Sequence, residues 1–218
     1  MVEYVKICGL KKPEEIELSI NKGANAVGFI YNVFDSPRNL EKAEIVKLLN
    51  NISNKIFSVI VFKPESLQEI QITINEINAG LYQIHTNMEI SELNPISADL
   101  KKKIILAYKL DNNNKDQVVN IVKTYFDQFF AFLIDNSEGQ GNKLDLRVVK
   151  EVLDKCNGAR IILAGGINVR NIKSIIKMLN PFGIDVSSSL ESIKGIKDPK
   201  KIRKFLYKIK KVNKAKRE

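Results

Sequence analysis

A thiol, a carboxylic acid and a guanidinium, each close to the end of a short apolar run, are the groups in this 218-residue sequence best suited to chemistry: Cys8, Asp135 and Arg38. Two further runs, 161–164 and 182–186, exit into Gly165-Gly166 and Ser187-Ser188-Ser189, with Asp185 inside the second. Glycine lets backbone N–H groups approach a ligand closely, and serines add hydroxyls and further N–H donors, so an anion, most simply a phosphate, fits at these exits. A lone Gly-Gly would be only a tight turn; two such exits in adjacent units favour phosphate. A thiol, an acid and a guanidinium facing a phosphate point to acid–base work on a phosphorylated, anionic substrate. No Cys/His grouping has metal-ligand spacing, and neither GxxxxGK[ST] nor a dinucleotide fingerprint occurs, so the chemistry is expected to use no metal and no cofactor.

The elements that must position these residues alternate along the whole chain. Apolar, β-branched runs predict strands over 4–8, 26–31, 56–62, 81–85, 103–109, 129–134, 161–164 and 182–186. Between them lie helical stretches from 13 to about 22, 41–49, 66 to about 77, 88–93, 116–125, from about 145, 168–179 and finally 199–211, several opened by Pro or an acid. Eight βα units with largely apolar strands predict an α/β fold of the closed (βα)₈ TIM-barrel type rather than an open doubly wound sheet, which rarely alternates so evenly. In such barrels the chemistry sits on the loops after the strands, and phosphate commonly binds after strands seven and eight. Every candidate named above lies at or near a strand exit.

Composition bounds the rest. Nothing resembles a linker, so one domain over 1–218 is expected. Residues 1–10 lack a leader's apolar stretch, no run approaches bilayer length, and two cysteines cannot staple a chain of this size; a cytoplasmic protein without membrane contact is expected. The net charge of +10 invites a nucleic-acid reading, but residues 200–218 hold ten basic residues against one acid, which leaves the other 199 residues at +1. The basicity belongs to a C-terminal helix and tail from about 199, read as a solvated face, and no nucleic-acid partner is expected.

Lys6-Ile7-Cys8-Gly9, Gly28-Phe29-Ile30, Ser36-Pro37-Arg38, Gln83-Ile84-His85, Leu133-Ile134-Asp135, Gly139-Gln140-Gly141 before Asp145, Leu163-Ala164-Gly165-Gly166-Ile167-Asn168 and Pro181-Phe182-Gly183-Ile184-Asp185-Val186-Ser187-Ser188 together resemble phosphoribosylanthranilate isomerase, in that family's order and over nearly the whole chain. The resemblance implies a (βα)₈ enzyme of tryptophan biosynthesis, without cofactor, that performs an Amadori rearrangement of a small phosphorylated substrate as a monomer or homodimer. Carried over by position, Asp135 is the general acid, Cys8 the base, Arg38 the partner of the anthranilate carboxylate and Asp185 that of the bridging amine. Gly165, Gly166, Ser187 and Ser188 line the phosphate site. Ser189 departs from the family's usual glycine, which predicts an altered phosphate grip or loop shape.

The proposed base sets a physical demand. A thiol near its ordinary pKa of about 8.5 is mostly protonated at neutral pH, so a basic Cys8 needs something that favours thiolate. Strand alternation puts Lys6 on the same face, one pleat below. The expectation is that Lys6 lies inside the barrel, paired with an acid such as Asp185, and biases Cys8 toward thiolate. His85, the sole histidine, and Cys156 are expected to be structural or packing residues. Two rivals remain: another phosphosugar isomerase or epimerase on the same barrel, in which Arg38 reads no carboxylate, and a polyanion-binding module built on the basic helix. The second predicts salt-sensitive binding lost on deleting 208–218, whereas the isomerase reading predicts turnover that survives the deletion.

Overall fold

The structure is a computed structural model and describes residues 1–50, 52, 56–135 and 145–215. Eight strands, β1 (Tyr4–Cys8), β2 (Ala26–Tyr31), β3 (Phe57–Phe62), β4 (Leu81–His85), β5 (Ile104–Lys109), β6 (Ala131–Asp135), β7 (Ile161–Ala164) and β8 (Gly183–Val186), each pair in parallel with the next. β8 returns to β1, with Tyr4 opposite Gly183 and Lys6 opposite Asp185, so the sheet closes into a (βα)₈ barrel. The helices between the strands are α1 (Pro13–Lys22), α2 (Lys42–Leu49), α3 (Leu67–Glu76), α4 (Ala98–Lys101), α5 (Lys115–Tyr125), α6 (Leu146–Lys155) and α7 (Ile172–Leu179), and α8 (Pro199–Lys214) follows β8. Among the described residues no helix is long and apolar enough to cross a membrane.

Both faces of the strands are buried, which is why they read as near-continuous apolar runs. The period of two sends Val5 and Ile7 outward into the core shared with the helices, and Tyr4 and Cys8 inward with Val59, Val61, Leu81, Ile105, Ala107, Leu133, Ile162 and Ala164. At the strands' amino ends Tyr4, Phe57, Phe130 and Phe182 stack with ring centroids 5.4–6.4 Å apart and close the barrel floor, so its open mouth lies at the carboxyl ends. Outside, α7 buries Ile172, Ile175, Ile176 and Leu179, and α8 buries Ile202, Phe205, Leu206, Ile209 and Val212, one apolar stripe each at helical spacing. Asp198 opens α8 by accepting the backbone N–H groups of Lys200 and Lys201, with Pro199 at the first helical position.

Several sequence expectations need correction. The helix expected over 88–93 is a 3-10 turn, Ile90–Leu93, and the helical turn proper is α4. β6 begins at Ala131 instead of Phe129 and includes Asp135 as its last residue; Phe129 packs outside on Phe132 and Phe130 joins the floor. α7 starts at Ile172 rather than at 168, because the Asn168 side chain accepts the N–H groups of Arg170 and Asn171 and holds a turn there. Two pairings were not anticipated: Asn39–Leu40 beside β2, and an antiparallel hairpin of Glu191–Ile193 with Ile196–Lys197. Gly139, Gln140 and Gly141, singled out in the sequence, and tail residues 216–218 lie outside the described residues.

Candidate active site

The mouth of the barrel opens into a cavity of about 1040 Å³ that touches the exits of every strand. Cys8, Arg38, Asp135, Gly165, Gly166, Asp185, Ser187 and Ser188 all line it, as do Gln83 and His85. Cys8 ends β1, Asp135 ends β6 and Asp185 sits within β8, so rigid strands rather than loops aim the proposed reacting groups. Gly28, opposite Cys8 on β2, leaves them room: a Cβ there would lie 2.8 Å from Lys6 Cε and 3.0 Å from Cys8 Sγ.

Beneath the thiol lies a buried ion pair. Lys6, wholly shielded from solvent, donates from Nζ to Asp185 Oδ2 at 2.7 Å. Burial opposes the charge on Lys6, but Asp185 and Cys8 together outweigh it and hold the ammonium above its ordinary value. Burial pushes Asp185 up, against the pull of Lys6. For Cys8 burial is again the largest influence and raises the thiol; Lys6, by charge and hydrogen bond, and Lys197, by charge, pull it back only in part. The expected Lys6–Asp185 pair is therefore present and Lys6 favours thiolate, as expected, while the dry barrel interior works against it and leaves the thiol raised overall. The second carboxylate oxygen of Asp185, Oδ1, is buried with no hydrogen-bond partner among the described residues, as are Gln83 Oε1 and the Tyr4 hydroxyl.

On the other side of the cavity Arg38 is gripped by a residue that the sequence did not single out. Glu191, in the hairpin after β8, accepts from Arg38 Nε at 2.5 Å and from Nη2 at 2.8 Å. The stem of Arg38 lies across Gly9, where φ is +73° and a Cβ would sit 2.5 Å from Arg38 Cδ, so this position needs glycine on both counts. Burial pushes Glu191 up, but hydrogen bonds from Arg38, Lys197 and the Gly195 N–H overcome it and hold the carboxyl at about 2. The signal that could have found this element is Glu191-Ser192-Ile193-Lys194-Gly195-Ile196-Lys197, a hairpin pattern with Gly at the turn directly after the serines.

The phosphate-type exits are shaped by side chains on both loops. Gly165 and Gly166 have φ of +83° and +63°, and the Gly166 carbonyl accepts from the side-chain amides of Asn168 and Asn171 at 3.0 and 2.9 Å. Ser187 Oγ donates to Cys8 O at 3.0 Å, so its hydroxyl proton is committed to the loop rather than to a ligand. Ser189 Oγ donates to Ile167 O at 2.6 Å; its side chain ties the loops after β7 and β8 together. His85 Nε2 lies 2.8 Å from Gln83 Nε2, at the edge of the cavity, and Cys156 is buried against Val119, as a packing residue.

Residues 5–208 match the family model described as N-(5'phosphoribosyl)anthranilate (PRA) isomerase. The chain is 30% identical over 213 residues to the N-(5'-phosphoribosyl)anthranilate isomerase of Pyrococcus furiosus, covering 96% of this chain and 99% of that one. It is 31% identical over 212 residues to that of Clostridium acetobutylicum, covering 95% and 98%. Among solved structures, the phosphoribosyl anthranilate isomerase of Thermotoga maritima superposes with a TM-score of 0.83 at 27% identity, over 97% of this chain and 100% of that one. Another isomerase structure, solved in complex with reduced 1-(o-carboxyphenylamino)-1-deoxyribulose 5-phosphate, gives 0.81 at 27% identity with the same coverage.

Proposed function

The chain belongs to the N-(5'-phosphoribosyl)anthranilate isomerase family, and from that premise we propose how its own residues carry the reaction. The activity is an aldose–ketose isomerisation in tryptophan biosynthesis: the Amadori rearrangement of N-(5-phosphoribosyl)anthranilate to 1-(2-carboxyphenylamino)-1-deoxyribulose 5-phosphate. In our reading Asp135 gives its proton to the ribose ring oxygen, and the ring opens to a protonated Schiff base. Cys8 acts through the minor thiolate form that Lys6 and Lys197 favour: it takes the proton from C2, and the electron pair flows into the iminium to leave an enolamine. Protonation of that enolamine at C1 and loss of its hydroxyl proton give the ketone.

The remaining groups bind. The Arg38 fork meets the anthranilate carboxylate, and its planar donors suit two parallel hydrogen bonds. Asp185 Oδ1, which lacks a partner among the described residues, accepts from the bridging amine; a buried acceptor left unmade is costly, so a ligand N–H there satisfies it. Gly165, Gly166 and the backbone of Ser187 and Ser188 take the phosphate. The reading takes the phosphorylated substrate as the only partner, in a cytoplasmic monomer or homodimer without nucleic acid, membrane or cofactor.

The observation that carries this is the meeting of a strand-borne thiol, a strand-borne carboxyl and a clamped guanidinium in one cavity that also holds both small-residue exits. With substrate generated in place and its fluorescence followed, Cys8→Ala and Asp135→Asn should each lower kcat by at least about 10²-fold with unchanged circular dichroism. Wild-type turnover in either variant would remove that residue from its role.

A further inference from the structure

Glu191 is saturated. Its carboxylate accepts four hydrogen bonds: Arg38 Nε and Lys197 Nζ at 2.5 and 2.8 Å on Oε1, Arg38 Nη2 and the Gly195 N–H at 2.8 and 2.9 Å on Oε2. Two carboxylate oxygens offer about four lone-pair sites, so none is left for a substrate proton. Lys197, 4% exposed, is equally committed, because its three donors go to Glu191 Oε1, Ser187 O and Ser187 Oγ. Neither residue can act on a ligand directly. What they do is join two parts of the site, since Ser187 Oγ in turn donates to the carbonyl of Cys8.

The grip on Arg38 is selective. Glu191 takes two of the five guanidinium N–H groups, both on the Nε edge, which leaves the Nη1 group and one Nη2 proton, the end of the fork, for a second carboxylate. The charges agree with this: Arg38 and Lys197 against Glu191 leave a surplus of one positive charge in the cluster. The hairpin is locked onto the Arg38 loop at Gly195, with φ of +85°, where a Cβ would lie 2.9 Å from Pro37 O.

We propose that Glu191 is a positioning residue for the isomerisation: it sets the angle at which the Arg38 fork meets the substrate carboxylate and, through Lys197 and Ser187, fixes that angle relative to the strand end carrying Cys8. This rests on the reading of Arg38 given above. The test pairs two ligands with Glu191→Gln. One is the reduced product analogue, the carboxyphenylamino-deoxyribitol phosphate; the other is the same compound without the ring carboxylate. Wild type should bind the first more tightly, and Glu191→Gln should cut that preference tenfold or more by weakening the first ligand while the Kd of the second changes less than threefold. KM for phosphoribosylanthranilate should rise with kcat falling much less, as expected when binding common to ground and transition states is lost.

If the buried Lys197 charge left by Glu191→Gln unfolds the protein, the Glu191→Gln/Lys197→Met pair removes it and carries the same expectation. A preference unchanged in the variant, or equal weakening of both ligands, would overturn the inference while leaving the Arg38 reading intact. Equal affinity of the wild type for the two ligands would overturn the Arg38 reading and this inference with it.

Discussion

Lys6 is wholly buried, and it is held there in its charged form. Removing it deprives Asp185 of its counter-ion in a dry interior, a change that typically costs about 3–5 kcal/mol. Lys6→Met is expected to lower stability by that order in urea melts. It should also move the Cys8 titration upward, because the lost cation and the unneutralised Asp185 both work against thiolate. Alkylation rate against pH in a Cys156→Ala background reads that midpoint, which burial already pushes up in the parent; a midpoint that stays put would show that Lys6 does not act on Cys8. The pairing itself is legible in sequence, since strand alternation and the adjacency of first and last strands in a closed barrel bring Lys6 beside Asp185. The net state of the thiol is not legible, because burial governs it and burial is a property of the whole cavity. The grip on Arg38 is hidden for a related reason: its partner lies 153 residues away, and nothing next to either residue announces the other.

Among the elements, α8 changes an expectation drawn from charge alone. Read as a basic face with a loose end, 208–218 looked removable without loss of turnover. The helix instead continues to Lys214, with Ile209 and Val212 buried and Asn213 accepting from the Val2 N–H at 3.1 Å and donating to Val2 O at 2.9 Å. Deleting 208–218 should therefore cost at least about 3 kcal/mol, from two buried aliphatic side chains and the clasp on the N-terminal segment. Thermal melts would register it as a clear drop, and an unshifted Tm would show the last turns of α8 to be dispensable. The eight barrel strands are legible because both faces are buried and the apolar signal is unbroken over four to six residues. The hairpin after β8 is marked only by the Gly195 turn, since strands of three and two residues are shorter than any periodicity can mark, yet it carries Glu191 and Lys197.

The molecule as a whole should show its dependence on that hairpin in acid. The Glu191 carboxyl titrates at about 2 in the folded state against an ordinary 4.5, so between those values the unfolded chain binds the extra proton and lowering the pH favours unfolding. The contribution, of order 3 kcal/mol, is complete above about pH 4.5 and fades as the pH falls toward 2. Glu191→Gln should flatten that part of the stability–pH curve, and a variant curve parallel to the parent's would rule out Glu191 as its source. The closure of β8 onto β1 has a consequence of another kind. Lys6 leaves the ribosome 179 residues ahead of Asp185, its counter-ion. Until then any partly wound barrel carries an open seam and an unneutralised ammonium at its centre, so chains terminated before Gly183 should be inert and short-lived rather than weakly active. Catalysis must wait until the last barrel strand has met the first.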